Sequence, residues 1–165
     1  MLPPLLAIVA IAGTSAPLAQ TKDATTTTPR TIVFVCEHGA ARSVMAAAYF
    51  NKLAAERRLN ARAIARGVTP QADLSTSAIA GLQKDGVAYP TDKPQALTES
   101  EVRRAGRVVA FCPLPQSWST LTRTDTFEVP GPADGYEKSR DAILVHVRAL
   151  VDEIAAAERG QKRPQ

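Results

Sequence analysis

The sequence predicts an α/β protein of three layers, in which a four-stranded parallel sheet carries helices on both faces. Short runs of β-branched and aromatic residues alternate with longer runs of Ala, Leu and charged residues, which is the order expected of strands connected by helices. The last helical run has apolar residues at three- or four-residue steps, so one stripe of it can cover a sheet. At 165 residues the chain has the length of one domain with a sizeable core.

The first half of the chain predicts two strands, each followed by a helix. The run 31–35 is β-branched and aromatic, and 44–58 is rich in good helix formers. The second strand is predicted at 62–68. A second helix should begin after Ser75, a favoured N-cap residue, and end near Gly86, because glycine commonly follows the last helical turn.

The second half predicts two more strands and two more helices. The pattern Thr-Glu-Ser-Glu at 98–101 fits a capping box that opens a short helix to about residue 105. Strands are predicted at 107–111 and 126–129, the latter stopped by Pro-Gly-Pro. The last helix should span 135–158, with one apolar face formed by Tyr136, Ile143, Val147, Leu150 and Ile154.

The two ends of the chain differ in composition from the predicted domain at 31–158. Residues 1–19 contain no charged side chain, and a short apolar run is followed by Ala-Pro-Leu-Ala, which is typical of a secretory signal peptide. The apolar run is too short for a permanent membrane span. We expect a disordered linker at 20–30, a polar tail at 159–165, and export to the periplasm or beyond. The Lys or Arg that usually begins a signal peptide is missing here. If the N-terminus is not a functional signal, the protein stays in the cytoplasm.

Composition argues against several functions. The formal charge of +4 is spread along the chain, and no block of Lys and Arg is dense enough to predict nucleic-acid binding. The His and Cys residues show no metal-ligand spacing, so neither a metal nor another cofactor is expected.

The most informative stretch joins the first predicted strand to the first predicted helix. A turn of small residues at a helix N-terminus presents backbone N–H groups to an anion. Cys36 at the start of this turn should favour its thiolate form and act as a nucleophile. Arg42 can hold two oxygens of a tetrahedral oxyanion, and Ser43 can donate a hydrogen bond to the thiolate. The loop between them contains Glu37, His38, Gly39, Ala40 and Ala41.

A plainer interpretation is a buried structural Cys36 with Arg42 on the solvated start of the helix. Within the loop, His38 can act as an acid or contact substrate, or its side chain can point away, as is expected of Glu37. The second cysteine, Cys112, follows another predicted strand, which makes a purely structural disulfide the less favoured use.

The segment from Val35 to Ser43, Val-Cys-Glu-His-Gly-Ala-Ala-Arg-Ser, resembles the active-site loop of low-molecular-weight protein tyrosine phosphatases and of the thiol-dependent arsenate reductases that share their fold. The resemblance extends from residue 31 to about 154. It implies that Cys36 is the nucleophile, that Arg42 and the loop amides hold the oxyanion, and that Ser43 tunes the thiolate.

The sequence departs from that family pattern at three places. An Asn that braces the family's loop is replaced by Gly39, and the Asp that serves as general acid in an Asp-Pro pair is replaced by Gly131. The nearby carboxylates that could substitute are Glu128, Asp125 and Asp134. Thioredoxin-coupled arsenate reductases use two further cysteines, of which Cys112 resembles the first and no other exists.

The resemblance therefore implies a cysteine-dependent phosphatase that forms a phosphocysteine intermediate. The expected partners are phosphate or arsenate oxyanions and a phosphotyrosine protein. The first alternative is an arsenate reductase in which Cys112 or an external thiol resolves the intermediate at Cys36. The second is an exported protein that binds oxyanions without catalysis.

Overall fold

The computed structural model describes residues 28–161. The predicted signal peptide and most of the predicted linker lie outside these residues. The helices and strands are, in chain order, β1 (Arg30–Cys36), α1 (Arg42–Glu56), β2 (Ala61–Gly67), α2 (Thr76–Lys84), α3 (Glu99–Arg104), β3 (Arg107–Ala110), α4 (Gln116–Ser119), β4 (Thr124–Thr126) and α5 (Tyr136–Gln161), with a short 3-10 turn at Pro132–Asp134.

The four strands form one parallel sheet in the order β2-β1-β3-β4. This confirms the predicted fold class. Because side chains alternate across a strand, β1 sends Ile32 and Phe34 to one face of the sheet and Val33 and Val35 to the other. The first pair is buried against α1 and α5, and the second pair is buried on the face of the sheet that α3 covers. The predicted three layers are therefore present, with β1 and its carboxyl end in the middle.

Several boundaries differ from the prediction. The fourth strand lies at Thr124–Thr126, two residues earlier than its apolar residues indicated. The short helix α4 was not predicted, since four residues carry too little periodicity to be seen. The last helix continues to Gln161, into the predicted polar tail. Both predicted N-terminal caps are confirmed, at Ser75 and in the capping box of Thr98 with Glu101.

The outer edge of β2 is covered from within the molecule. The side-chain amide of Asn51 on α1 accepts from the N–H of Ala63 at 2.7 Å and donates to its carbonyl at 3.0 Å, as a neighbouring strand would. Further along, Gly67 pairs with the segment 95–97. At both places the outward-facing backbone groups of this edge strand have hydrogen-bond partners within the molecule.

No helix between residues 28 and 161 is long and apolar enough to cross a membrane.

Candidate functional site

The predicted nucleophile lies where β1 ends, beneath a loop that leads into α1. The Sγ atom of Cys36 is 3.1 Å from the Oγ atom of Ser43, which lies in the first turn of α1. Both residues are buried, Cys36 with 4% and Ser43 with 0% of its surface exposed. The hydroxyl can therefore donate to a thiolate, in a place where water does not compete for the hydrogen bond.

The loop carbonyls are held by the segment that connects β2 to α2. Four backbone hydrogen bonds of 2.8–3.2 Å join the carbonyls of residues 36, 37, 38 and 40 to the N–H groups of residues 68, 69, 71 and 75. In the described part of the chain, no protein acceptor binds the N–H groups of residues 37–41. With the carbonyls drawn to one side, these N–H groups and the N-terminus of α1 are available to an anion.

Gly39 is the residue where the family's Asn is replaced, and the structure gives a physical reason for the glycine. Its φ angle is +64°, and a Cβ atom on it would lie 2.8 Å from the backbone nitrogen of Gly67. A Cβ on Gly67 would in turn lie 2.8 Å from the nitrogen of Gly39. The two glycine backbones are therefore in direct contact. The loop is braced by this contact and by the four hydrogen bonds, without a side chain at position 39.

The guanidinium of Arg42 makes no hydrogen bond or ion pair with any residue from 28 to 161, and the side chain is partly exposed. It is thus available to an oxyanion. His38 and Glu37 are exposed at the outside of the loop. The Nδ1 atom of His38 is 3.3 Å from the carbonyl oxygen of Thr69, to which it donates in the tautomer that carries the proton on Nδ1. This contact supports the interpretation in which His38 points away and braces the loop.

Cys112 follows β3, the strand beside β1 in the sheet, and so lies near the loop that follows β1. Both cysteines are free thiols. Burial raises the pKa of the Cys112 thiol to about 11, with smaller contributions from the negative charges of Cys36 and Glu37. Near neutral pH Cys112 is therefore protonated, although it lies within electrostatic reach of Cys36.

The first candidate acid, Asp125, is committed elsewhere. It lies in β4 and forms an ion pair with the buried side chain of Arg107, which also binds Glu153 on α5 at 2.8 Å. Its neighbours Thr124 and Thr126 line a cavity beside the loop. Because successive side chains of a strand point to opposite faces of the sheet, Asp125 lies on the face away from that cavity. This placement does not favour Asp125 as an acid.

The second candidate, Asp134, is bound to the residue that replaces the family's acid. Its Oδ2 atom accepts from the N–H of Gly131 at 3.0 Å, and its own N–H donates to the carbonyl of Gly131. The buried hydroxyl of Ser139 is 2.8 Å from that same carbonyl and 3.0 Å from the carbonyl of Pro130. The peptide of Gly131 is thus held at both ends. The third candidate, Glu128, lines the cavity that Arg42 also lines, and is exposed.

A polar cluster fixes the start of α5 against α1 and the end of α2. The hydroxyls of Tyr49 and Tyr136 both donate to Asp85, which also binds Arg140 at 3.3 Å. The hydrogen bonds from the two tyrosines hold the pKa of Asp85 below its usual range. Burial and the bond to Asp85 raise the pKa of Tyr49 to about 12. Because Tyr136 and Ser139 share one short helical segment, this cluster also positions the segment that contains Gly131.

The structure shows two positions that support the candidate site and that no sequence pattern revealed. The sequence predicts only a strand at Gly67. Gly39, which it contacts, is 28 residues away along the chain, so no local signal reveals this contact. Ser139 lies within the predicted last helix. A small polar residue within an otherwise apolar helical face was the only available signal. Among residues 28–161, no group of three or more His, Cys, Asp and Glu side chains could hold a metal ion.

Solved structures of other proteins share this fold. The thioredoxin-dependent arsenate reductase Cg_ArsC1′ of Corynebacterium glutamicum is similar with a TM-score of 0.65 at 20% identity, over 80% of this chain and 65% of that one. The chain thus spans less than two thirds of that reductase. The low molecular weight protein tyrosine phosphatase of T. tengcongensis is similar with a TM-score of 0.61 at 20% identity, over 79% of this chain and 99% of that one.

A further solved structure, of an arsenate reductase in the phosphate-binding state, is similar with a TM-score of 0.62 at 20% identity, over 78% of this chain and 98% of that one. At these identities the similarity shows the fold. No curated protein sequence matches the chain significantly. The family model for low molecular weight phosphotyrosine protein phosphatases matches residues 31–159. With the parallel sheet and the Cys36 loop in place, that match shows that the chain belongs to the low molecular weight phosphotyrosine protein phosphatase family.

Proposed function

We propose that this protein is a cysteine-dependent phosphatase that acts on phosphate monoesters. The observation that carries the proposal is the buried pair of Cys36 and Ser43, 3.1 Å apart, beneath a loop whose N–H groups and Arg42 are free to bind an oxyanion. A thiolate at Cys36 attacks phosphorus, the bond to the leaving oxygen breaks, and the leaving group takes a proton from water. Water then cleaves the sulfur–phosphorus bond and releases inorganic phosphate. Arg42 and the loop amides stabilise the charge on the three equatorial oxygens.

Arsenate reduction is the second candidate, supported by the position of Cys112 and by the reductases among the structural neighbours. In that reaction Cys36 forms a bond to arsenic(V), and one arsenate oxygen takes up protons and leaves as water. A second thiol attacks the sulfur of Cys36, arsenic leaves as arsenite with the electron pair, and the two thiols become a disulfide. Cys112 must lose its proton first, and a pKa of about 11 makes that unfavourable at neutral pH. This disfavours the route through Cys112 and leaves an external thiol as the resolving group of a reductase. The phosphatase is preferred because hydrolysis requires no second thiol.

Parallel assays of the full-length protein test the proposal. We expect 4-nitrophenyl phosphate to be cleaved by the wild type and by Cys112→Ser, but not by Cys36→Ser. Arsenate reduction coupled to glutathione or to thioredoxin should stay at background in all three proteins. If the ester is inert, arsenate is reduced, and Cys112→Ser stops that reduction, the reductase replaces the phosphatase. If all reactions fail but phosphate still binds, the protein is a non-catalytic oxyanion binder.

Selective alkylation should distinguish the two thiols. With a pKa of about 11, only about one Cys112 in 10⁴ is ionised at pH 7, and the thiolate is the reactive form. We therefore expect iodoacetate at pH 7 to modify Cys36 at least about 100-fold faster than Cys112, and inorganic phosphate to protect Cys36 alone. The rate at Cys112 should rise about tenfold per pH unit until the pH approaches 11. Mass spectrometry of digested protein gives both rates. Equal labelling that phosphate does not change would contradict the assignment of Cys36.

Export is proposed on the sequence of residues 1–19 alone. Expression of the full-length chain in a bacterium should give a mature protein that begins at or near Gln20 and is recovered outside the cytoplasm. Intact-mass measurement of the periplasmic fraction tests this. Cytoplasmic protein that still carries Met1 would be the contrary result.

A further inference from the structure

A cavity of about 580 Å³ opens beside the loop, on the side away from the segment that holds the loop carbonyls. It lies at the carboxyl ends of β3 and β4, and β3 is the direct neighbour of β1 in the sheet. Arg42 lines the cavity as well as closing the loop. A phosphate group held by Arg42 would therefore have the cavity as its neighbour.

The cavity wall is mainly apolar. Leu114 contributes to it after β3, and Phe127 and Val129 contribute after β4. Phe127 is held in place by ring contacts with Phe111 at 6.0 Å and with His146 at 4.5 Å between centroids. One wall of the cavity is thus formed by a ring that its neighbours hold in place. Its volume is within the range of about 300–1,000 Å³ that holds whole small-molecule ligands, and is more than one phenyl ring requires.

The charges around the cavity favour an uncharged occupant. Apart from Arg42, which the phosphate would occupy, Glu128 is the charged residue that lines it, and Glu128 has no ion-pair partner among residues 28–161. The negative charge of Glu37 also acts on Cys112 in the same wall. A second anionic group on a bound molecule would therefore meet the unpaired carboxylate of Glu128, with the charge of Glu37 adding to the negative potential nearby.

We propose that this cavity is the leaving-group site, and that the substrates are monoesters of an uncharged aromatic alcohol or phenol larger than a single ring. The proposal deepens the proposed phosphatase function, on which its catalytic part rests. Burying a second ring against Leu114, Phe127 and Val129 should raise kcat/KM, whereas an added anionic group should lower it.

Binding of arylphosphonates to the wild-type protein tests the cavity without requiring turnover. In calorimetric titrations we expect 2-naphthylphosphonate to bind about 10- to 100-fold more tightly than phenylphosphonate, because its second ring is removed from water. A sulfonate on the distal ring should cancel that gain, and Glu128→Gln should restore part of it. Leu114→Trp or Val129→Trp, which fill the cavity, should bring the ratio of the two affinities close to one. Val145→Trp, at an exposed position of α5, is the matched control and should leave the ratio unchanged.

The corresponding ratio of kcat/KM values is then measured for 2-naphthyl phosphate and phenyl phosphate, whose leaving groups have similar acidity. Equal affinities for the two phosphonates, or a gain that survives both tryptophan variants, would overturn the leaving-group site even if both esters are cleaved. A naphthyl preference in binding without turnover of any ester would instead support the site and refute the phosphatase function. The two failures are therefore distinguishable.

Discussion

Replacing Gly131 with Asp should increase the rate of phenyl phosphate hydrolysis by about 10²–10⁴-fold, the usual contribution of a general acid. In the wild type Gly131 stands where the resemblance places the general acid, so we expect a phenolate to leave with little help. The substitution fits the structure, because the nearest atom to a Cβ at Gly131 is Oδ2 of Asp134, at 4.0 Å. The adjacent carboxylate also favours the protonated form of the new side chain, which is the form that an acid needs.

Comparison of two esters isolates this effect. Hydrolysis of 4-nitrophenyl phosphate, whose leaving group needs no proton, should change little in Gly131→Asp. Gly131→Asn has the same shape but no acidic proton, and it should not accelerate either ester. A contrary result would be that the wild type hydrolyses both esters at similar rates and that Glu128→Gln or Asp134→Asn slows phenyl phosphate alone. One of those carboxylates would then already serve as the acid.

Replacing Gly67 with Ala should lower kcat/KM for 4-nitrophenyl phosphate by about 10²-fold, although Gly67 contacts no substrate in the proposed reaction. The new Cβ would lie 2.8 Å from the nitrogen of Gly39 and 2.9 Å from the carbonyl carbon of His38, both of them backbone atoms that cannot turn away. The loop must shift, and a displacement of about 1 Å at a catalytic centre can cost 10²-fold in rate. Affinity for inorganic phosphate should fall with it, since the loop N–H groups move.

Gly86→Ala is the control for stability. Gly86 has a φ angle of +63° but nothing within 4 Å of its Cβ position, so alanine there introduces backbone strain of about 1–2 kcal/mol without a collision. We expect this variant to be less stable in urea unfolding yet to bind phosphate as the wild type does. If Gly67→Ala changes stability but neither kcat/KM nor phosphate inhibition, the contact between the glycines has no role in positioning the loop.

The fold could be predicted because its signals are local and agree with one another. The β-branched run before Cys36, the cap at Ser75 and the capping box at Thr98 each fix one boundary, and alternation of strands and helices then implies the parallel sheet. The fourth strand was misplaced because Phe127 and Val129 look like strand residues. In the structure, Phe127 instead leaves the ladder after one hydrogen bond to Ala110 and packs on His146.

The candidate site could be predicted less completely. The spacing of Cys36, Arg42 and Ser43 identified the loop, since these residues are neighbours in sequence. What holds the loop and the segment at Gly131 comes from distant parts of the chain, through Gly67 and Ser139, and contacts of that kind leave no periodic pattern. The commitment of Asp125 to Arg107 also depends on which face of β4 it occupies, and the misplaced strand concealed that.

The amide of Asn51 has a consequence for how molecules of this protein behave toward one another. A strand at the edge of a parallel sheet offers a row of backbone groups with which a strand from another molecule can pair, and such pairing leads to aggregation. Here the N–H and carbonyl of Ala63 are already bonded to Asn51, and those of Gly67 to the segment 95–97. A foreign strand would have to displace both sets of bonds before it could extend the sheet at β2. The amide of Asn51 and the segment 95–97 together thus protect the molecule from self-association at this edge.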